Sequence, residues 1–67
     1  MKRWDNQAHG RVEDPRVDAF LAEIVEVCRK HGMSLGHEDG HGSFVVHDQL
    51  DETIMTWISQ ASIERAQ

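Results

Sequence analysis

Apolar residues recur along this chain in two helical runs separated by a stretch of different rhythm. Val17, Phe20, Leu21, Ile24, Val25 and Cys28 fall at steps of three and four, which places them on one face of a helix. Asp14 and Pro15 precede the run as an N-cap and a first helical residue whose missing N–H costs nothing. Asp18 lies early and Arg29, Lys30 and His31 lie late, which complements the helix dipole, and Gly32 supplies a left-handed stop. Leu50, Ile54, Trp57, Ile58 and Ala61 form a second helical stripe, capped by Asp48 or Asp51, with residues Glu64 to Gln67 expected to fray.

Between the helices, Met33 and Leu35 alternate weakly, and Ser43-Phe44-Val45-Val46-His47 carries strong strand propensity. The two-residue period turns Phe44 and Val46 inward, where Phe44 and Trp57 would serve as core anchors. The polar, Gly-rich link Glu38–Gly42 makes the two extended runs a β-hairpin. Residues 1–13 are polar and aperiodic and read as a flexible arm, in which Trp4 alone could dock on a partner or pack back on the body. The predicted architecture is α+β: one domain over residues 14–67, ordered α-β-β-α, with two helices covering a two-stranded antiparallel hairpin.

Size limits what such a domain can do. A chain of 67 residues buries only roughly 60% of its unfolded surface, so its core is marginal and calls for a metal, a partner or a second copy. The single cysteine, Cys28, rules out an internal disulfide and suits a reducing cytoplasm. No apolar run reaches the ~20 residues of a membrane span, and the N-terminal stretch lacks the apolar segment of a signal peptide. The expected location is the cytoplasm of a bacterial cell, away from the membrane.

Charge is unevenly placed. Residues 1–16 hold Lys2, Arg3, Arg11 and Arg16 against Asp5, Glu13 and Asp14, whereas residues 17–67 hold Arg29, Lys30 and Arg65 against nine carboxylates. The net charge of −5 counts against direct nucleic-acid binding and favours a partner with a basic surface. It also keeps a small domain soluble.

His37-Glu38-Asp39-Gly40-His41 matches the H-E-x-x-H pattern of zinc proteases. In those enzymes the five residues lie on a helix, which puts both histidines on one face. Here they sit between Gly36 and Gly42 with Asp39-Gly40 inside, which is turn chemistry. So short a domain also has no room for an enclosed substrate cleft, and no enzymatic activity and no cofactor are expected. A metal-binding alternative uses His37, His41 and His47, assisted by Glu38 or Asp39, if the hairpin brings them together. Cys28 and His31 share a helix face, but Cys28 continues the apolar stripe and is expected in the core rather than as a nucleophile.

Phe20-Leu21, Cys28-Arg29-Lys30-His31-Gly32, Ser34, His37-Glu38-Asp39, His41-Gly42-Ser43-Phe44 and Trp57-Ile58 with Ala61 together make a pattern. It resembles a group of small proteins encoded by phages and prophages, over roughly residues 17–61. Alanine is more usual in that group where Ser43 stands here. The resemblance implies an α-β-β-α domain in a phage-related setting and carries no catalytic assignment. The expectation is a phage- or prophage-derived accessory protein that binds a host or phage protein, such as a host-defence or nucleic-acid-handling factor that it would inhibit. Its candidate contacts are Glu38, Asp39 and His41 on the loop with Glu23 and Glu26 on the first helix. A homodimer that completes the small core is a further expectation.

Overall fold

Asp14 and Gly32 bracket the first helix as their chemistry requires. The Asp14 carboxylate accepts from the N–H groups of Arg16 and Val17, and Gly32 takes the left-handed conformation at φ 67° while its N–H bonds back to the last turn. The computed structural model describes residues 1–38, 40 and 42–66. Its elements run β1 (Lys2–Asp5), β2 (Gly10–Glu13), α1 (Pro15–His31), β3 (Ser34–His37), β4 (Phe44–His47) and α2 (Glu52–Ser59). The class is α+β, and the order is β-β-α-β-β-α. Two separate antiparallel hairpins, β1–β2 and β3–β4, accompany the two helices.

The first hairpin replaces the flexible arm expected over residues 1–13. Lys2 pairs with Glu13, Arg3 with Val12, Trp4 with Arg11 and Asp5 with Gly10. Its turn is held by Asp5 Oδ1, which accepts from the N–H groups of Gln7 and Ala8. The inward side of β1 carries Arg3 and Asp5, both buried, while Trp4 faces out. A strand whose buried side is charged leaves no apolar period, so hydropathy gives no sign of it. What remains legible is two short runs around an Asp-Asn…Gly turn.

The buried charges are matched. Arg3 donates from Nη1 to the carbonyls of Ser59 and Ala61, at 3.0 and 2.9 Å, and from Nη2 to Asp18. The chain end lies alongside: Asp5 and Ile63 form a parallel bridge, Ile63 N–H donates to the Trp4 carbonyl at 2.7 Å, and Asn6 N–H donates to the Ile63 carbonyl at 3.0 Å. Residues Glu64 and Arg65 are therefore tied down rather than frayed, Glu64 by Asn6 Nδ2 and Arg65 by Asp5 and Asp14.

The apolar core is small. Cys28, Ile54 and Met55 form its buried centre, with Val25, Leu50 and Ile58 packed around it. Met55 is only 2% exposed, so the buried line of α2 runs through Ile54, Met55 and Ile58. Trp57, expected as an anchor, is 66% exposed. Cys28 is buried as expected. Asp51, not Asp48, caps α2, accepting from the N–H groups of Thr53 and Ile54. Ser34, 1% exposed, links the second hairpin to this cap: its hydroxyl donates to the Gln49 carbonyl and accepts from the Asp51 N–H, at 2.8 and 2.7 Å.

In the second hairpin the side-chain assignment is the reverse of the expected one. The register pairs Ser34 with His47, Leu35 with Val46, Gly36 with Val45 and His37 with Phe44. Directly paired residues share a face, so Leu35, His37, Phe44 and Val46 lie on one side and Ser34, Gly36, Val45 and His47 on the other. Phe44 is 78% exposed, and Val46 is exposed as well. The side bearing small residues is the one that meets α2: a Cβ added at Gly36 would lie 3.7 Å from Ile54 Cδ1 and 3.2 Å from His47 Nε2. Close approach through Ser34 and Gly36 thus decides the orientation over the greater hydrophobicity of Phe44 and Val46.

Candidate functional site: an apolar groove beside the second hairpin

β3 lodges against both helices, whereas β4, among the described residues, packs closely on β3 alone. This leaves a groove of about 460 Å³ between the hairpin and the helices. Leu21 and Ile24 of α1 line it, with Leu35 and Phe44 from the hairpin and Trp57 and Ile58 from α2. Leu35 and Ile24 also line an adjoining pocket of about 410 Å³ with Phe20, Val27, Cys28 and Glu23. The two hollows share residues and so form one apolar surface. Phe20 is 60% exposed, which makes three aromatic side chains on this surface open to solvent with Phe44 and Trp57.

An exposed aromatic on a small domain costs solubility, and several grouped around one hollow mark a contact surface. Aromatics are also the side chains that most often dominate binding energy at protein interfaces. Of the residues lining the two hollows, only His37 and Glu23 are titratable apart from the buried Cys28. The groove thus has an apolar lining and an acidic mark at one edge, within a chain of net charge −5.

The histidine-rich segment starts at the end of β3, at His37, and leads to β4, which opens at Phe44. Glu38 N–H donates to the Ser43 carbonyl at 2.8 Å, and Gly42 N–H donates to the Glu38 carbonyl at 3.0 Å, with Gly42 at φ 69°. His37 is the last residue of β3, so the first histidine of the H-E-x-x-H match lies on a strand and not on the helix that chemistry requires. His37 and His47, proposed as metal ligands together with His41, lie on opposite faces of the hairpin at opposite ends of its register. The structure does not bring these two together. Among the described residues no group of three or more His, Cys, Asp or Glu side chains converges as a metal site. Asp39 and His41 fall outside the described residues.

Of the other candidate contacts, Glu23 borders the groove, while Glu26 is exposed on α1 and Glu38 is exposed at the start of the link. Sequence reasoning overlooked the groove because it placed Phe44, Val46, Phe20 and Trp57 in the core. The signal was an excess of large apolar residues over what 67 residues can enclose. Among the described residues no helix is long and apolar enough to cross a membrane.

Set beside known proteins, the chain matches no family model, no curated protein and no solved structure.

Proposed function

We propose that this protein acts by binding another protein, and that the groove walled by Phe44 and Trp57 is where the partner docks. The observation that carries the reading is the exposure of two aromatics, Phe44 from β4 and Trp57 from α2, that line one apolar hollow. The occupant that fits is an apolar segment flanked by basic residues. Its apolar side chains would enter the groove beside the two aromatics, and its cations would meet Glu23 and the acidic body of the domain. Glu26 on α1 and Glu38 in the link are exposed and are further candidate contacts, and Asp39 and His41 stay candidates on the sequence alone.

The setting that suits the reading is a phage- or prophage-derived accessory protein in the bacterial cytoplasm. A host-defence or nucleic-acid-handling factor would offer the basic surface, and inhibition would follow from covering it. Binding of this kind requires no catalysis and no cofactor.

The test is retention of proteins from a bacterial lysate by the full chain and by its Trp57→Ala variant, each at low and high salt. The expected result is a protein held by the parent chain, released by salt and lost with Trp57→Ala. Identical retention by both chains would contradict the groove as the docking surface.

A further inference from the structure

The outer edge of β4 is a second feature of the same hairpin, distinct from the groove. Glu38 donates to Ser43, so by antiparallel alternation the pairs Gly36–Val45 and Ser34–His47 exchange the backbone bonds within the hairpin. The N–H and C=O groups of Phe44 and Val46 therefore point away from β3, toward the open edge. The usual guards of an open edge are absent from it: β4 contains no proline and no lysine, and no helix covers it among the described residues.

We propose that this edge pairs with the same edge of a second copy, antiparallel, about a twofold axis through Val45. Three observations select a second copy as the occupant. First, the edge is self-complementary. With the axis at Val45, Phe44 stands opposite Val46 of the second copy and Val46 opposite its Phe44, each pair exchanging the two outward backbone bonds. Aromatic and β-branched residues are favoured cross-strand partners.

Second, the faces match. Leu35, Val46, the second Phe44 and the second His37 form one continuous row across the four strands, and its symmetric counterpart lies beside it. Third, charge does not oppose contact at the edge itself, because His47 is the only titratable residue of β4. The helices of each copy hold β3 rather than β4, so neither stands in the way of the added strand. The product is a four-stranded sheet ordered β3-β4-β4-β3 that carries two grooves.

A four-residue edge is short, which places the dimer in the weak class of interfaces, with a dissociation constant on the order of 10–100 µM. The net charge of −5 on each copy adds long-range repulsion, so salt should strengthen the dimer. This is opposite in sign to the salt response of a basic partner in the groove.

Sedimentation of the full chain from about 1 to about 500 µM, with amide exchange followed at each end of that range, tests the proposal. The expected mass rises from 7.7 kDa toward twice that value. The Phe44 and Val46 amides should gain protection with concentration, while the Val45 amide stays protected throughout. Val46→Pro removes only an outward N–H and should leave a folded monomer. If that variant fails to fold, Phe44→Lys with Val46→Lys sets like charges opposite each other and decides the matter, with at least about a tenfold weaker dimer expected. A monomer at every concentration overturns the proposal. So does a dimer whose Phe44 and Val46 amides stay open, or one that the folded edge variants do not weaken. Any of these three results leaves the groove reading standing, because that reading is judged by Trp57→Ala.

Discussion

Arg65 reaches across the whole sequence to Asp5: its Nε donates to Asp5 Oδ2 at 2.8 Å, and its Nη2 donates to Asp14 Oδ2 at 3.2 Å. One guanidinium thus joins the first hairpin, the cap of α1 and the chain end. The expected outcome is that Arg65→Ala lowers the melting temperature. Arg65→Lys should rescue it only in part, because an ammonium cannot span two carboxylates as the planar fork does. Deleting residues 1–13 should be more damaging still, since it removes Arg3 from the Ser59 and Ala61 carbonyls. Thermal unfolding followed by circular dichroism checks both, and a truncated chain that melts like the parent would restore the flexible-arm description.

The same clasp predicts a response to acid. Asp18 is held below the usual carboxylate range first by the Arg3 hydrogen bond and then by the N-terminal ammonium. Asp5 is lowered chiefly by the Ala8 N–H, with Gln7 N–H and Arg65 adding to it against the opposing effect of burial. For Asp14 burial pushes upward, and the Val17 N–H, Arg65 and the Arg16 N–H together outweigh it. Groups with depressed folded values contribute stability above their unfolded value, about pH 4, and that contribution is lost as pH falls through the folded values. Resistance to urea should therefore fall progressively below about pH 4. Asp18→Asn should flatten part of that slope, and an unchanged slope would remove Asp18 from the account.

Much of the middle of the chain could be read directly. The first helix was legible because its cap, its acidic start, its basic end and Gly32 agree with its apolar stripe. The second hairpin was legible as a hairpin but not in which side faces in. Period two states that Phe44 and Val46 share a face, and it does not state which face; Ser34 and Gly36 decided that by letting α2 approach. The first hairpin was hidden because its interior is ionic, through Arg3 and Asp5, and pairs with residues some 60 positions away in sequence. For the site, the acidic residues were visible as a charge excess, whereas the groove required knowing that Trp57 turns out while Met55 turns in.

That inversion gives a paired prediction. Met55→Ala should destabilise the fold by about 2–5 kcal/mol, as large-to-small changes in a core do. Ser34→Ala should cost about 1–3 kcal/mol by leaving the Asp51 N–H and the Gln49 carbonyl without their buried partner. Trp57→Ala should stay within about 0.5 kcal/mol, the range of surface changes. Chemical denaturation of the three variants ranks them, and a Trp57→Ala loss as large as that of Met55→Ala would mean the groove is closed.

Metal dependence separates the groove reading from the histidine alternative. With His37 and His47 on opposite faces of the hairpin, a chelator should leave the melting temperature unchanged and elemental analysis should find no bound metal. A chelator-sensitive melt, abolished by His37→Ala and His47→Ala together, would support the alternative, because metal binding energy appears as folding energy.

The most direct test of the docking surface is a photo-crosslinker placed at position 57 in the groove wall, with the same group at Arg11 on the first hairpin as control. After irradiation in bacterial lysate, the account predicts a covalent adduct to a distinct protein from position 57 and none from position 11, with the adduct suppressed by salt. No adduct from position 57, or the same adducts from both positions, would contradict it.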